Sequence, residues 1–287
     1  MTRKEAWEHG RKILADAGIE EHTLDAWYLL EWAAGISRTQ YYMEPDQVLD
    51  KEAESRYLAG IKKRSGRIPL QHITGEQEFM GLAFYVNEHV LIPRQDTETL
   101  AELALKHIRP GMKVLDMCTG SGCIIISLEK LSRKQRNICK AEEESFFVGV
   151  DISGEALEIA QENVNLQGAD VRLIQSDLFD KIEGKYDMIV SNPPYIRTEE
   201  IQELQDEVRL HDPFIALDGR EDGLYFYRRI ISDGRKYLNP GGWLMFEIGC
   251  DQGPDVSRLM KEAGYEEISV KKDLAGLDRV VSGMYNI

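Results

Sequence analysis

From Lys113 onward, short apolar segments alternate with longer amphipathic ones, and this alternation constrains the fold more than any other feature of the sequence. Alternating strands and helices imply a mostly parallel sheet covered by helices on both faces. The predicted strands are 113–117, 146–150, 171–175, 186–191, 243–248, 266–271 and 278–285. The predicted helices lie near 97–108, 121–132, 153–166, 223–238 and 253–263.

The short connection between the last two predicted strands sets their relative direction. Only Asp273–Leu277 separates them, whereas a parallel crossover needs roughly a dozen residues or more. We therefore expect an antiparallel pair within an otherwise parallel, Rossmann-like α/β sheet of seven strands. The polar segment 133–145 is predicted to be a mobile loop.

The chain before the alternating region divides into two further parts. Residues 1–75 are predicted to form a small helical domain because apolar residues such as Leu24 and Trp27 recur at helical spacing. Residues 76–96 contain alternating apolar residues around a glycine, which is typical of a β-hairpin, and we interpret them as a linker. The sheet domain then covers residues 97–287.

Composition limits the partners and the compartment. The net charge is −15, whereas a protein that gains affinity by neutralising phosphates usually has a basic excess. We therefore expect no direct nucleic-acid partner. No apolar run approaches the ~20 residues that span a bilayer, and the N-terminus carries no secretory signal. The four cysteines lack zinc-ligand spacing. These observations predict a cytoplasmic protein with no metal site and no membrane partner.

A glycine-bearing turn follows the first predicted strand of the sheet domain. The strand Val114–Met117 leads into Cys118–Gly122, which we call the glycine turn, and an apolar helix begins at Cys123. Glycines at such a turn let the backbone approach a ligand closely, beyond the carboxyl ends of the strands. A Gly-x-Gly pair alone is weak evidence for a cofactor site.

Acidic residues at successive strand ends strengthen the prediction of a nucleoside cofactor. Asp116 ends the first strand, Asp151 ends the second, and Asp177 follows the third. Asp151 stands where a carboxylate can accept hydrogen bonds from both ribose hydroxyls, and the neighbourhood of Asp177 can border an adenine ring. The alternative is that these acids only cap helices.

NAD is the rival cofactor, but its fingerprint needs a third glycine where this chain has Ile125. The order of elements over residues 113–287 instead resembles the S-adenosylmethionine-dependent methyltransferases. That resemblance implies S-adenosyl-L-methionine as the cofactor, with its methionine part over the glycine turn and its ribose at Asp151.

The segment Asn192–Tyr195, with sequence Asn-Pro-Pro-Tyr, follows the fourth strand of the sheet domain. The side-chain oxygen of Asn192 and the carbonyl oxygen of Pro193 can accept both N–H bonds of a planar NH2 group and stabilise the positive charge that develops on its nitrogen. Tyr195 can stack on the flat face of that group. The alternative is a structural proline-rich turn. The motif leaves adenine N6, cytosine N4 and glutamine N5 open as methyl acceptors.

Other motifs in the chain narrow this choice. Residues 91–98 read Leu-Ile-Pro-Arg-Gln-Asp-Thr-Glu, residues 73–75 read Ile-Thr-Gly, and residues 216–219 read Ala-Leu-Asp-Gly. Together with Asn192–Tyr195 they closely resemble the peptide chain release factor N5-glutamine methyltransferases, also called the HemK or PrmC family, over nearly the whole chain. The resemblance implies methylation of the glutamine in the Gly-Gly-Gln motif of class 1 release factors, by a monomer that acts in translation termination.

The resemblance also implies a set of site residues. The cofactor contacts are Cys118, Thr119, Gly120, Ser121, Gly122, Asp151, Asp177, Leu178 and Asn192. The substrate contacts are Arg94, Asn192, Pro193, Pro194 and Tyr195, of which Asn192, Pro193 and Tyr195 are catalytic, and residues 1–75 recognise the substrate. Several positions depart from the family pattern, among them Cys118 and Arg220, which stand where glycine is common.

Two alternative functions stay open at this point. An adenine-N6 or other nucleic-acid methyltransferase needs a basic groove around its pocket for a flipped base or a single strand, and the net charge of −15 counts against one. A non-catalytic binding module with this fold is disfavoured by the intact Asn192–Tyr195 motif.

Overall fold

The computed structural model describes residues 1–135 and 145–286, and their contacts divide into two units. The first unit contains Met1–Glu76 and Gln205–His211, and the second contains Gln77–Leu204 and Asp212–Ile287. Residues 136–144 of the loop predicted at 133–145 lie outside the described residues.

The first unit is built from helices. They are α1 (Arg3–Asp16), α2 (His22–Ala34), α3 (Arg38–Met43), α4 (Lys51–Ser65) and α5 (Leu70–Thr74). Side chains cap three of these helices, since Thr2, Ser37 and Asp50 each accept a backbone N–H at the start of α1, α3 and α4. Helix α2 ends at Gly35, whose φ of 63° is readily adopted by glycine. The caps explain why several short helices form within so few residues.

Ion pairs join these helices to one another and to a segment from much later in the chain. Arg64 on α4 donates from Nε to Asp25 on α2 at 2.7 Å, and both side chains are buried. Glu207 accepts from Arg64 at 3.1 Å and from Arg67 at 3.3 Å. Residues 205–211 therefore belong to the helical unit, although the boundaries predicted from sequence place them in the sheet domain. The predicted role of residues 1–75 in substrate recognition stays a prediction.

The second unit begins with a two-stranded sheet and continues into the large sheet. Strands β1 (Glu76–Phe79) and β2 (Leu82–Tyr85) are joined at Met80 and Gly81, which both have positive φ. The strands of the large sheet are β3 (Lys113–Met117), β4 (Phe146–Asp151), β5 (Val171–Gln175), β6 (Tyr186–Ser191), β7 (Leu238–Glu247), β8 (Tyr265–Lys272) and β9 (Asp278–Tyr285). The helices of the second unit are α6 (Glu98–His107), α7 (Cys123–Gln135), α8 (Gly154–Gln167), α10 (Phe214–Leu217), α11 (Tyr225–Tyr237) and α12 (Gly253–Glu262), with 3-10 turns at Gln95–Thr97 and Glu200–Glu203. Helix α9 (Asp206–His211) belongs to the first unit.

The strand order in the large sheet is β5-β4-β3-β6-β7-β9-β8. Strands β3 to β7 pair in parallel, and β9 runs antiparallel to both β7 and β8. The predicted seven-stranded α/β sheet and its antiparallel final pair are therefore confirmed. Strand β7 starts earlier than the predicted residue 243, because Leu238 already pairs with Tyr186 before an irregularity in the register.

Alternate residues of the central strands enter two separate apolar clusters. Leu115 and Met117 of β3 pack in one cluster, while Val114 packs in the other. Because successive side chains in a strand point to opposite faces, both faces of the sheet are buried, as a parallel sheet requires. Within the described residues, no helix is long and apolar enough to span a bilayer.

Candidate functional site

A pocket opens at the carboxyl ends of β3, β4 and β6, at the edge where ligands bind in sheets of this kind. We call it the strand-end pocket. Ten of the residues predicted for the site line it: Arg94, Cys118, Thr119, Gly120, Ser121, Asp151, Asp177, Leu178, Asn192 and Pro194. The other three, Gly122, Pro193 and Tyr195, lie outside its lining.

Two of the hydrogen bonds that hold the glycine turn come from residues close in sequence. The hydroxyl of Thr119 donates to Oδ2 of Asp116 at 2.6 Å, and the N–H of Gly122 donates to the carbonyl of Thr119 at 2.9 Å. Asp116 is fully buried, and burial raises the pKa of its carboxyl to about 7. Asp116 therefore stabilises the glycine turn and does not line the pocket.

Gly122 contributes to the turn through its conformation and lack of a side chain. Its φ is 78°, and a Cβ there would lie 2.9 Å from Cδ1 of Ile126 in the following helix. Both features favour glycine at this position. Gly122 thus shapes the turn without contacting the pocket.

Asp151 lies where the sequence predicts a ribose ligand. One carboxylate oxygen accepts the N–H of Gly120 at 2.8 Å, and the other accepts the N–H of Ser153 at 3.0 Å. Burial raises the pKa of the Asp151 carboxyl, while these backbone hydrogen bonds oppose that shift. Each oxygen keeps further lone pairs, so the oriented carboxylate can still accept hydrogen bonds from a ligand in the pocket.

The other wall of the pocket combines charged, aromatic and apolar side chains. Asp177 pairs with Arg229 at 3.0 Å, and the Arg229 guanidinium lies 5.9 Å from the centre of the Tyr225 ring. Leu178 is buried and Ile152 is half exposed, and both line the pocket. An aromatic ring and apolar side chains suit the flat faces of an adenine base.

Three non-glycine residues of the pocket have left-handed backbone conformations. The φ angles are 63° for Cys118, 47° for Leu178 and 70° for Arg220. Such conformations cost L-residues energy, and they cluster at functional sites. At Cys118 and Arg220 the structure explains why glycine is common in the family that this sequence resembles.

The Asn-Pro-Pro-Tyr turn continues from β6, the strand that neighbours β3. Ser191, its last residue, donates from Oγ to the carbonyl of Met117 at 2.6 Å, which ties the ends of the two strands together. Asn192 lines the pocket and donates from Nδ2 to Oγ1 of Thr97 at 3.5 Å. With its N–H2 end held in this way, the opposite oxygen of the Asn192 amide remains available as an acceptor.

Tyr195 points into the protein. Its hydroxyl donates to Oε1 of Glu247 at 3.4 Å, and its ring packs against the apolar cluster around Leu115. Burial and the neighbouring Glu247 carboxylate raise the pKa of Tyr195 well above its usual value. The structure therefore does not bring the ring to the wall of the pocket, and stacking on a target group stays a prediction.

The Ala-Leu-Asp-Gly segment packs against the residues that follow Asn192. The N–H of Ile196 donates to Leu217 at 3.0 Å, and the N–H of Gly219 donates to Ile196 at 2.8 Å. A Cβ on Gly219 would lie 2.7 Å from the Cα of Tyr195. Gln252 adds a hydrogen bond from Nε2 to the carbonyl of Tyr195 at 3.0 Å. Residues 216–219 thus hold the Asn-Pro-Pro-Tyr turn in place, and we call them the clamp.

Arg94 lies at the pocket with its guanidinium about half exposed. Its Nη2 pairs with Oδ2 of Asp212 at 2.8 Å, and the Asp212 side chain is almost fully buried. A buried carboxylate holds the arginine in one orientation while leaving part of it open to a ligand. The predicted role of Arg94 in binding a substrate stays a prediction.

Sequence reasoning did not single out several residues that the structure brings to the site. Thr97 lies within the quoted segment 91–98 without an assigned role, whereas Glu247 and Gln252 carry no motif signal. Tyr225 and Arg229 lie in the first turns of α11, far in sequence from the strand ends that the motifs mark. Among the described residues, no group of His, Cys, Asp or Glu side chains could hold a metal ion.

Two family profiles match the chain. The PrmC N-terminal domain matches residues 5–75, and the methyltransferase small domain matches residues 95–211.

The chain is also similar to named proteins over almost its whole length. It is 40% identical to a release factor glutamine methyltransferase from Geobacter sulfurreducens over 98% of this chain and 96% of the relative. It is 38% identical to a protein of the same name from Clostridium acetobutylicum, over 98% of each chain.

Solved structures with similar folds are more distant in sequence. A methyltransferase from Pyrococcus furiosus aligns with a TM-score of 0.53 at 18% identity, over 79% of this chain and all of that one. The 16S rRNA N2 G1207 methyltransferase RsmC of Thermus thermophilus, solved with AdoMet and guanosine, aligns with a TM-score of 0.50 at 15% identity, over 74% of this chain and 50% of that one. These two likenesses support the methyltransferase fold.

Proposed function

The chain belongs to the release factor glutamine methyltransferase family, and from that premise we propose that it methylates N5 of the glutamine in the Gly-Gly-Gln motif of class 1 peptide chain release factors. One observation carries this proposal for the site itself. Asn192 opens the Asn-Pro-Pro-Tyr turn and lines the same pocket as the glycine turn and Asp151. An acceptor for an amide and a cradle for a nucleoside therefore share one cavity.

The residues of the strand-end pocket fit S-adenosyl-L-methionine. Asp151 would accept hydrogen bonds from the ribose hydroxyls, since backbone N–H groups already orient its carboxylate. Asp177 and Leu178 would border the adenine, and the backbone of Cys118–Gly122 would lie under the methionine part. This cofactor, when bound, supplies an electrophilic methyl group on a sulfonium.

Asn192 and Pro193 would hold the target amide. The side-chain oxygen of Asn192 accepts one N–H of the glutamine amide, and the carbonyl of Pro193 accepts the other. An amide nitrogen is a poor nucleophile because its lone pair is delocalised, and two acceptors stabilise the positive charge that develops on it. Positioning by the turn supplies a further part of the rate. Proline has no N–H, so Pro193 offers an acceptor without a competing donor.

Two parts of the chain would contact the release factor beyond the glutamine. Arg94, held by Asp212 and half exposed, would contact the backbone around the target. The helical residues 1–75 would recognise the folded release factor, and they expose Tyr42 and Met43, whose side chains are about three-quarters accessible. Replacing both by alanine should raise the KM for intact release factor while leaving the KM for a short Gly-Gly-Gln peptide unchanged.

The proposal extends to the cellular setting. We infer a cytoplasmic monomer that acts on a protein in translation termination and has no direct nucleic-acid or membrane partner. The net charge of −15 supports the choice of a protein substrate over a nucleic acid.

Mass spectrometry of a release factor incubated with the enzyme and S-adenosyl-L-methionine tests this function. One added methyl group on the Gly-Gly-Gln glutamine is expected, and a release factor with that glutamine replaced by asparagine should gain none. Methyl transfer to nucleic acid with none to the release factor would overturn the proposal.

A further inference from the structure

Gln252 lies behind the strand-end pocket, in the connection between β7 and α12, immediately before the first residue of that helix. Only 5% of its surface is exposed, and it is not part of the pocket lining. An amide is costly to bury unless its polar atoms are hydrogen-bonded. The partners of the Gln252 side chain therefore indicate which parts of the protein it holds together.

The Gln252 side chain uses both ends of its amide. Its oxygen, Oε1, accepts the N–H of Gly249 at 2.9 Å. Its nitrogen, Nε2, donates to the carbonyl of Tyr195 at 3.0 Å and to the carbonyl of Gly223 at 3.3 Å. The nitrogen of an amide has two N–H groups, and the oxygen only accepts. This orientation of the amide therefore satisfies all three backbone groups at once.

The two carbonyls belong to segments that both reach the wall of the pocket. Tyr195 ends the Asn-Pro-Pro-Tyr turn, whose first residue, Asn192, lines the pocket. Gly223 lies two residues before the start of α11, and the first turns of that helix place Tyr225 and Arg229 at the pocket. One buried amide thus joins the turn proposed to hold the target amide to the helix proposed to border the adenine.

This junction is closely packed as well as hydrogen-bonded. Gly223 has a φ of 72°, and a Cβ there would lie 2.5 Å from the carbonyl oxygen of Tyr195 and 2.7 Å from Nε2 of Gln252. The two segments therefore cannot move closer together, while the shared amide opposes their separation. The spacing between the Asn-Pro-Pro-Tyr turn and the start of α11 is fixed in both directions.

We propose that Gln252 is a positioning residue for methyl transfer: its side-chain amide fixes the Asn-Pro-Pro-Tyr turn relative to the start of α11, and so aligns the target nitrogen with the methyl group of the cofactor. This inference rests on the proposed function, in which the turn holds the glutamine amide and Tyr225 borders the adenine. Transfer requires the nitrogen and the methyl group to lie in line. A small shift between the two segments therefore lowers the rate even when each ligand still binds.

Gln252→Met is the main test, because methionine has a similar length and no donor. With the two carbonyls no longer joined, we expect kcat to fall about tenfold. The Kd for S-adenosyl-L-methionine and the KM for release factor should stay within about threefold of the original protein, because Asp151 and Asn192 are unchanged. Gln252→Glu keeps an acceptor for the N–H of Gly249 but brings a carboxylate against two carbonyls, so kcat should fall further than in Gln252→Met.

Val256→Ala is the matched control for stability. Val256 is fully buried one turn further along α12 and packs in the apolar cluster around Leu115. Its truncation leaves a cavity and lowers the midpoint of thermal unfolding, while the hydrogen bonds of the Gln252 side chain stay in place. At a temperature where both variants are folded, kcat of Val256→Ala should be unaltered. An equal loss of kcat in the two variants would mean that the rate follows stability alone, and the proposal would fall.

A double-mutant cycle tests whether Gln252 acts through the turn. Adding Gln252→Met to Asn192→Ala should lower kcat by less than about threefold, because the side chain being aligned is already absent. Fully additive losses would overturn the proposal, as would a rise in the Kd for S-adenosyl-L-methionine as large as the loss of kcat. If the original protein transferred no methyl group to the release factor, the proposed function would fail instead, so the two failures are distinguishable.

Discussion

The two turns that face the strand-end pocket are built in different ways. The glycine turn is held mainly through its backbone, by bonds to the neighbouring strand end at Asp151 and to the side chain of Asn163, with the bond from Thr119 to Asp116 as a support close in sequence. The Asn-Pro-Pro-Tyr turn is held by residues far away in sequence, including Thr97, Gly219 and Glu247. Both turns follow adjacent parallel strands, so the difference comes from their supports and not from their place in the fold.

The two turns have different structural requirements. A cofactor cradle made of backbone groups needs a fixed backbone conformation, which glycines and side chains bonded to that backbone, such as Asp151 and Asn163, can provide. A turn that must present a side-chain amide in one of two orientations needs hydrogen-bond partners on several sides. Those partners come from distant segments because a tight turn cannot surround its own side chain.

Asn192→Ala, in the Asn-Pro-Pro-Tyr turn, should produce the largest effect and tests the proposed catalytic role of that turn. It removes an acceptor directed at charge that grows in the transition state, so single-turnover methylation should slow by on the order of 10²–10³. The Kd for S-adenosyl-L-methionine should change much less, because the main cofactor contacts lie at the glycine turn and Asp151. A rate within a few-fold of the original protein at saturating cofactor would show that the turn is only structural.

Asp151→Ala tests the proposed cofactor-binding role of the carboxylate beside the glycine turn. Two charge-assisted hydrogen bonds to the ribose would be lost, each worth roughly 1.5–3 kcal/mol, so calorimetry should show cofactor affinity falling by on the order of 10² or more. The protein should remain folded because Asp151 ends a strand at the pocket and its backbone contacts persist. Unchanged affinity in a folded variant would contradict the assignment of this carboxylate.

Gly219→Ala sharpens the comparison because it disturbs one distant support of the Asn-Pro-Pro-Tyr turn and leaves the glycine turn unchanged. The new Cβ would lie 2.7 Å from the Cα of Tyr195, and backbone cannot yield as a flexible side chain does. Overpacking of this kind costs about 1–3 kcal/mol, so thermal unfolding should begin at a lower temperature and kcat should fall. Gly234→Ala, where the nearest atom is 3.4 Å away, is the control and should leave both nearly unchanged. Equal stability of the two variants would argue against the clamp.

Cys118→Gly should have the smallest effect. The glycine turn already adopts its left-handed conformation with cysteine, whose φ is 63°. Glycine removes a backbone cost of roughly 1–2 kcal/mol but also removes a thiol that packs against the apolar cluster, so the two changes oppose each other. Cofactor affinity should stay within about threefold by calorimetry. A tenfold change would show that the side chain itself takes part in binding.

Much of the fold could be predicted from sequence because its signals are local. Apolar segments such as 113–117 and 186–191 identified the central strands, and the short Asp273–Leu277 connection predicted the antiparallel pair that the structure shows. The segment 205–211 could not be placed in the same way. It joins the helical unit through Glu207, and nothing nearby in sequence indicates that partner.

For the site, the sequence by itself determined which chemical groups are present and which strand ends carry them. It identified the glycine turn, Asp151 and Asn192, because each belongs to a compact motif with a chemical purpose. Only the tertiary structure decided which way these groups face. It turned Tyr195 inward to Glu247, set Thr97 against Asn192 and used Gly219 as a clamp. Orientation depends on hydrogen bonds and close packing between residues about 20 to 100 positions apart, and such contacts exist only once the chain has folded.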